Sequence, residues 1–369
     1  MISVDIRLKR GAFELNARFT AASNGVTALF GRSGSGKSTI VNAIAGLVRP
    51  DHGHIAIAGH TLFDSTTGID RAVAERGLGY VFQEGRLFPH MSVERNLLYG
   101  RRPGASEHPT LAETVALLGL GPLLSRKPNS LSGGERQRVA IGRALLASPR
   151  ILLMDEPLAS LDGARRAEIL PYLADLRRSL DIPIIYVSHQ MDEIIQLADT
   201  MVLVDAGKVV ASGPVETLTS RLDLAPLTGG RDAGAVLACA IAEHDPRFGL
   251  TRLSFSGGSL WVAALDRSSG ETVRVRIGAR DVALALAPPS EISMLNVIEA
   301  RISEIGAPDG AQVDVGLRAG EDALWARLTR RSLSDLGLQP GMTVHALIKA
   351  VSIAGATPAA SIKADTKKP

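Results

Sequence analysis

Polar and apolar residues alternate from Ser3 to Leu8 and again from Phe13 to Phe19, a period of two that predicts strands of a small antiparallel sheet. Val26 to Phe30 breaks the alternation with an unbroken apolar run, which leads into closely spaced glycines and then an amphipathic segment ending near Leu47. After a turn at Pro50 to Gly53, Ile55 to Ile57 reads as a short strand, and Gly77 to Gln83 as an apolar strand ending on a glutamine. Thr110 to Leu118 is helical by spacing. So is the segment after Leu131, where Val139, Ile141, Ala144 and Leu145 share one face. Ile151 to Glu156 is a continuous apolar run of the kind found in central parallel strands, and it ends in two carboxylates. A turn from Pro157 to Asp162 leads into a helix starting near Ala164. Pro183 to Val187 is a further apolar strand ending in Ser188 and His189, Met201 to Val204 closes the sheet, and Gly207 with Gly213 shapes a final hairpin. Strands alternating with helices predict an α/β architecture for this part.

From about Leu222 the composition changes to short strands, Gly and Arg, without further nucleotide motifs, and it repeats. AVLACAIAEH (Ala235 to His244) parallels NVIEARISEI (Asn296 to Ile305), and LWVAAL (Leu260 to Leu265) parallels LWARL (Leu324 to Leu328). GETVRVRIGARDV (Gly270 to Val282) parallels GMTVHALIKAVSI (Gly341 to Ile353). Two copies of one small β-barrel unit are expected, each too small to bury much core alone.

The chemistry concentrates in the first part. Gly31, Arg32, Ser33, Gly34, Ser35, Gly36, Lys37, Ser38 and Thr39 stand between an apolar strand and a helix, the context in which backbone N–H groups cradle a polyphosphate. Lys37 reaches the β- and γ-phosphates as a mobile charge, and the Ser38 hydroxyl is placed to ligate Mg2+. Ser132, Gly133 and Gly134 open a helix whose free N–H groups can face an anion. Strand ends in parallel sheets are where ligands bind, so Asp155 is placed for the Mg2+ shell and Glu156 to activate a water. Gln83 is a candidate ligand of Mg2+ or water, and His189 a polar contact to the γ-phosphate. Phe13 is the candidate for stacking on an adenine ring.

Bulk properties narrow the setting. A chain of 369 residues exceeds one typical core. Hydrophobic residues make up 45% and charged residues 21%, the balance of an ordinary soluble protein. The 41 basic against 38 acidic residues leave +3, too mild an excess to argue for nucleic acid as a partner. A single cysteine, Cys239, excludes an intrachain disulfide. No signal peptide is read at the N-terminus, and no apolar run is long enough to span a bilayer.

The set GRSGSGKS, Gln83, LSGGE (Leu131 to Glu135), ILLMDE (Ile151 to Glu156), SLD (Ser160 to Asp162) and His189, in that order, resembles the ATP-binding subunits of ABC transporters. The resemblance covers about the first 220 residues. It implies an α/β P-loop NTPase, an ABC ATPase head with a helical subdomain, that uses ATP and Mg2+. It also implies a head-to-tail homodimer in which Ser132 and Gly134 of one subunit meet the γ-phosphate held by Lys37 of the other. Gln83 to Gly100, with Leu87, Phe88, Pro89, Met91 and Val93, looks like the family's coupling region, which receives a short helix of the membrane subunit.

The second repeat is similar to the molybdate-binding Mop domain, on the residues SMLNVIEARI (Ser293 to Ile302), LWARL, and LQPGMTVHALIKAVSI (Leu338 to Ile353). RDVALALAPPS before it is typical of molybdate ABC transporter ATPases. The resemblance implies an all-β, OB-like C-terminal domain and, on matching positions, Ser293, Asn296, Lys349 and Ser352 as oxyanion donors; Gly278 stands at the position of Lys349 in the first copy. The expected organisation is an ATP-binding domain over 1–225, a first β repeat over 226–289, the Mop-like domain over 290–355 and a disordered tail over 356–369. The expected partners are two integral membrane permease subunits and an extracytoplasmic molybdate-binding protein, with the chain peripheral on the cytoplasmic face of the inner membrane. Tungstate, sulfate or another solute remains an alternative cargo. A non-transport ATPase acting on DNA or ribosomes is the alternative class, although its usual coiled-coil insertion or second head is not seen.

Overall fold

The computed structural model describes residues 1–101, 109–159, 161–179, 182–349 and 351–353, without the side chains of Arg231 and Ser352. Ser160 of the SLD motif, the hydroxyl of Ser352 and the expected tail over 356–369 lie outside the described residues. The chain divides into two compact units after Val215.

The first unit is built on one eleven-stranded sheet. Its strands are β1 (Ile2–Arg10), β2 (Phe13–Ala21), β3 (Val26–Phe30), β4 (His52–Ile57), β5 (His60–Asp64), β6 (Ile69–Asp70), β7 (Leu78–Val81), β8 (Ile151–Asp155), β9 (Ile184–Ser188), β10 (Thr200–Asp205) and β11 (Lys208–Pro214). The spatial order is β6-β5-β4-β1-β2-β11-β10-β3-β9-β8-β7. The strands β10, β3, β9, β8 and β7 run parallel, and β1 to β6 without β3 form the antiparallel part expected from the alternating N-terminal pattern. The parallel strands β3, β8 and β9 are the continuous apolar runs, buried along almost their whole length, as strands covered on both faces must be. The β5 and β6 strands were not legible in the apolar pattern, because they are short: five and two residues.

Among the described residues this unit carries the helices α1 (Lys37–Ala45), α2 (Val93–Leu98), α3 (Leu111–Leu117), α4 (Gly133–Leu146), α5 (Gly163–Ser179) and α6 (Met191–Leu197). Thr110 and Glu113 close a capping box at the start of α3, which fixes where that helix begins. Phe30 pairs with Ser188 and Asp155 with Val187, so the register brings the carboxyl ends of β3, β8 and β9 to one edge.

The second unit holds the repeat in two five-stranded antiparallel sheets. The first contains β12 (Gly234–Asp245), β13 (Leu250–Phe255), β14 (Gly258–Ala263) and β15 (Thr272–Gly278). The second contains β17 (Asn296–Ile305), β18 (Gln312–Ala319), β19 (Asp322–Thr329) and β20 (Thr343–Ile348). Both copies carry a bulge at the same place, after Ile241 in one and after Ile302 in the other. The fifth strands are exchanged: β16 (Val282–Ala285), which follows the first copy, pairs with β20, and β21 (Ser352–Ile353), which follows the second, pairs with β15. Thus a strand on the first-repeat side of the boundary expected at 289/290 completes the second sheet. Exchange merges two small cores into one, running from Leu237 and Val275 through Ile298 and Trp325, which is how units too small to bury much surface alone become stable.

Asn296 joins the copies. It is 8% exposed, its Oδ1 accepts from the Trp261 backbone N–H at 2.6 Å, and its Nδ2 donates to the Trp261 carbonyl at 3.0 Å. Asn296→Ala is expected to leave that N–H and C=O unpaired and to cost about 1–3 kcal/mol, read as a lower denaturation midpoint.

Candidate functional site

The phosphate loop is shaped by backbone that side chains rarely adopt. Gly31 has φ 156°, and a Cβ there would lie 2.0 Å from the Val204 carbonyl oxygen. Gly36 has φ 107°, and a Cβ there would press on Leu15 and Phe13. Gly36 caps α1 without any side-chain hydrogen bond, so the N-terminal amides of the helix are free of an internal side-chain acceptor.

Lys37 is 4% exposed, and its Nζ donates to the Gly31 and Arg32 carbonyls at 2.9 Å each. Burial pushes the Lys37 ammonium down from its ordinary value, while the Glu156 and Asp155 carboxylates oppose that shift. Ser38 Oγ donates to Asp155 Oδ1 at 2.9 Å. Asp155 is pushed up by burial, opposed by the Ser38 hydrogen bond and raised further by the charge of Glu156. Glu156 stands just past β8 with φ 45°, a left-handed conformation for a non-glycine residue. Its N–H donates to the Val187 carbonyl at 3.1 Å, and its carboxylate lies 4.0 Å from Lys37 Nζ and 3.2 Å from His189 Nδ1.

These groups surround a cavity of about 410 Å3 lined by Phe13, Ser33, Gly34, Lys37, Gln83 and Glu156, together with Gly36, Ser38 and Thr39. Gly31, Lys37, Ser38, Gln83, Asp155, Glu156 and His189 therefore converge, and Arg32, Ser33, Gly34 and Thr39 complete the loop. Phe13 borders the same cavity and is half-buried, as an adenine-stacking candidate has to be. Ser35 Oγ is buried with no hydrogen-bond partner, an orphan that a phosphate oxygen beside the loop can satisfy. A hydroxyl, a carboxylate and an amide are oxygen donors suited to Mg2+, which is held by one or two carboxylates plus nucleotide phosphates. The described residues hold no cluster of three or more His, Cys, Asp or Glu that could cage a metal by itself. The donor set thus fits a cation bound together with a nucleotide.

Ser132, Gly133 and Gly134 are not among the residues lining that cavity. Ser132 caps α4, accepting from Glu135 N–H at 3.2 Å while its own N–H donates to Glu135 Oε2 at 2.6 Å. Gly133 instead borders a second cavity, of about 490 Å3, with Gln83, Leu87, Pro89, Arg136 and Gln137. The apolar patch expected over Leu87 to Val93 is split: Val93 is fully buried, whereas Leu87, Phe88 and Met91 are half-exposed.

Sequence reasoning missed three contributors. Tyr80 OH donates to Asn42 Oδ1 at 3.0 Å and approaches Asp155 Oδ2 at 3.4 Å; burial, then the Asp155 charge, pushes its phenol up. Its only signal was a hydroxyl inside an apolar strand. Gln137 Nε2 donates to the Phe82 carbonyl at 3.4 Å, and Arg143 donates to the Arg86 and Gly85 carbonyls at 3.0 and 3.2 Å. Both tie α4 to the segment that follows β7, a link between distant stretches that no local pattern announces.

In the second unit, Asn296 stands opposite Ile348 on neighbouring strands, next to Lys349, which is exposed. Ser293 is exposed ahead of β17, while the backbone of Ser352 pairs with Arg276 in the first sheet. The Asn296 amide spends both its groups on Trp261, so it is a clamp between the copies, and among the described residues Lys349 and Ser293 are the exposed side chains of the expected donor set.

A glycine loop with a buried lysine, and carboxylates and a histidine brought to one sheet edge, define an ABC-type P-loop ATPase. The ABC transporter family profile matches residues 15–159, and the TOBE domain profile matches residues 292–355. A nucleotide-free ATP-binding cassette of an ABC transporter superposes with a TM-score of 0.52 and 25% identity, covering 60% of this chain and 96% of that one. The protein cbiO1 from Clostridium perfringens, part of the transporter complex cbiONQ, gives a TM-score of 0.52 at 24% identity, covering 60% of this chain and 92% of its own.

Along nearly its whole length the chain is 53% identical to the molybdenum import ATP-binding protein ModC of Paramagnetospirillum magneticum, covering 96% of this chain and 98% of that protein. The corresponding protein of Rhodospirillum rubrum is 51% identical over 96% of this chain and 97% of its own. The chain belongs to the family of molybdenum import ATP-binding proteins ModC. No helix among the described residues is long and apolar enough to cross a membrane.

Proposed function

We propose that the chain hydrolyses MgATP to drive molybdate uptake, as a homodimer beneath two integral membrane subunits to which an extracytoplasmic binding protein delivers the oxyanion. The observation that carries the reading is that similarity to the molybdenum importers runs through the second unit as well as the ATPase unit. In the ATPase unit, the loop amides, Lys37 and His189 hold the γ-phosphate, and Glu156 accepts a proton from the attacking water. Ser38, Asp155 and Gln83 would hold the Mg2+, which supplies charge neutralisation at the phosphates. In the second subunit of the pair, Ser132 and Gly134 complete the site, which accounts for their distance from the cavity of their own chain.

The raised carboxyl of Asp155 gives a test of the cation assignment. A carboxyl raised in the folded state contributes stability below the ordinary carboxylate range, and that contribution is lost as the pH rises through the raised value. Asp155→Asn is therefore expected to raise the melting temperature of the nucleotide-free protein at neutral pH and to abolish the further rise on adding MgATP. An unchanged response to MgATP would remove Asp155 from the cation site.

The transport reading is tested by uptake of molybdate, tungstate and sulfate into cells lacking their own importer ATPase and expressing this chain with its membrane subunits. Molybdate uptake lost in Glu156→Gln is the expected result. Sulfate uptake without molybdate would establish the other cargo. Calorimetric titration of the full chain with the same anions, compared with Lys349→Ala, reports whether the second unit is an oxyanion site.

A further inference from the structure

Among the described residues Glu193 is the only acidic residue that is buried, at 3% exposure, and the roles proposed above make no use of it. It sits on the first turn of α6, four residues after His189. Its Oε2 accepts from Tyr186 OH and from Ser188 Oγ, each at 2.8 Å. Ser188 Oγ in turn accepts from the Gln190 N–H at 3.0 Å, so hydroxyl and carboxylate together fix the backbone on both sides of His189. The other carboxylate oxygen lies 3.2 Å from Arg166 Nε, at ion-pair distance though not aimed as a hydrogen bond. Arg166 Nη2 donates to the Leu161 carbonyl at 3.3 Å, in the turn that follows Glu156.

We propose that Glu193 is a positioning residue that, through Arg166, couples the His189 end of β9 to the turn carrying Leu161 and Asp162. A buried charge with one cationic partner and two hydroxyl donors is costly to assemble and strongly directional once assembled. The chain leaves the adjacent strands β8 and β9 on either side of the Glu156 and His189 pair, and the Glu193 and Arg166 pair ties the two exits together. A histidine that must meet a phosphate within a few tenths of an ångström needs such support, because small misplacements of a reacting group cost large factors in rate. The inference rests on the reading of His189 as a γ-phosphate contact.

The test is steady-state ATP hydrolysis by the full chain carrying Glu193→Gln, Arg166→Met, or both. Glutamine can keep its oxygen toward the two hydroxyls only by turning its NH2 group on Arg166, so the ion pair is lost with little change in shape. Each single variant is expected to lower kcat by roughly tenfold or more with KM for ATP within about twofold. The double variant should fall no further than the worse single, since both cut one link. Arg166→Lys, which keeps the charge, should recover part of the loss. Tyr186→Phe removes only a supporting hydroxyl and should keep kcat within about twofold of the parent. If Glu193→Gln fails to fold, Ser188→Ala interrupts the same link and should show the same kcat effect. Unchanged kcat in the folded single variants, or additive losses in the double, would overturn the proposal. His189→Ala separates the two readings: a loss there with Glu193→Gln unaffected leaves the role of His189 standing and removes only the link.

Discussion

Glu156→Gln is expected to cut ATP turnover by roughly 10²–10⁴-fold, the range of a lost general base, while leaving nucleotide binding close to the parent value. The side chain lies at the end of a buried strand, held off ordinary backbone geometry at φ 45°, and faces both Lys37 and His189. A left-handed glutamate costs on the order of 1–2 kcal/mol. Glutamine preserves shape and hydrogen bonding but cannot take a proton from water. In the proposed site, binding is carried by the loop amides and Lys37, which the substitution does not remove. Single-turnover hydrolysis alongside nucleotide titration separates the two effects; normal hydrolysis with intact binding would remove Glu156 from the role of base.

Trp325→Ala is expected to destabilise the second unit by about 3–5 kcal/mol, the cost of emptying a large buried site. Trp325 is fully buried at 0% exposure, and its Nε1 donates to the Thr219 carbonyl at 3.3 Å. Its ring also faces the Arg327 guanidinium at 5.5 Å. Trp261, its counterpart in the first repeat, is only half-buried and is tied to Asn296 through backbone rather than side chain. Trp261→Ala should therefore cost about 1 kcal/mol or less. Thermal or denaturant unfolding of the two variants measures the difference, and equal losses would contradict the asymmetry of the repeat.

The candidate ATP site was legible because its chemistry is local. A phosphate loop needs glycines where a Cβ would strike backbone, a lysine at the helix start and carboxylates at the end of an apolar run, and each requirement leaves its mark within a few residues. The parallel strands were legible for a related reason: strands buried on both faces must be apolar without interruption, so Val26–Phe30, Ile151–Asp155 and Ile184–Ser188 stand out. The short strands His60–Asp64 and Ile69–Asp70 carry no such constraint and left no comparable pattern. Tyr80, Gln137 and Arg143 were missed because their partners are distant in sequence, and a side chain bonded to a remote carbonyl imposes nothing on its neighbours.

The repeat shows the same division in one domain. Sequence self-similarity located both copies; the bulge they share, after Ile241 in one and after Ile302 in the other, emerged only from the strand registers. Self-similarity could not show that β16 and β21 cross between the sheets, because each strand satisfies the same hydrogen-bonding pattern in either copy, and only packing of the joint core selects the exchange. Nor could it separate Asn296 the anion donor from Asn296 the clamp. Family, candidate site chemistry and the long, strongly patterned elements were thus legible in the sequence alone. Which of two equivalent partners a strand or an amide takes was decided by the tertiary structure, where burial leaves each polar group one way to be satisfied.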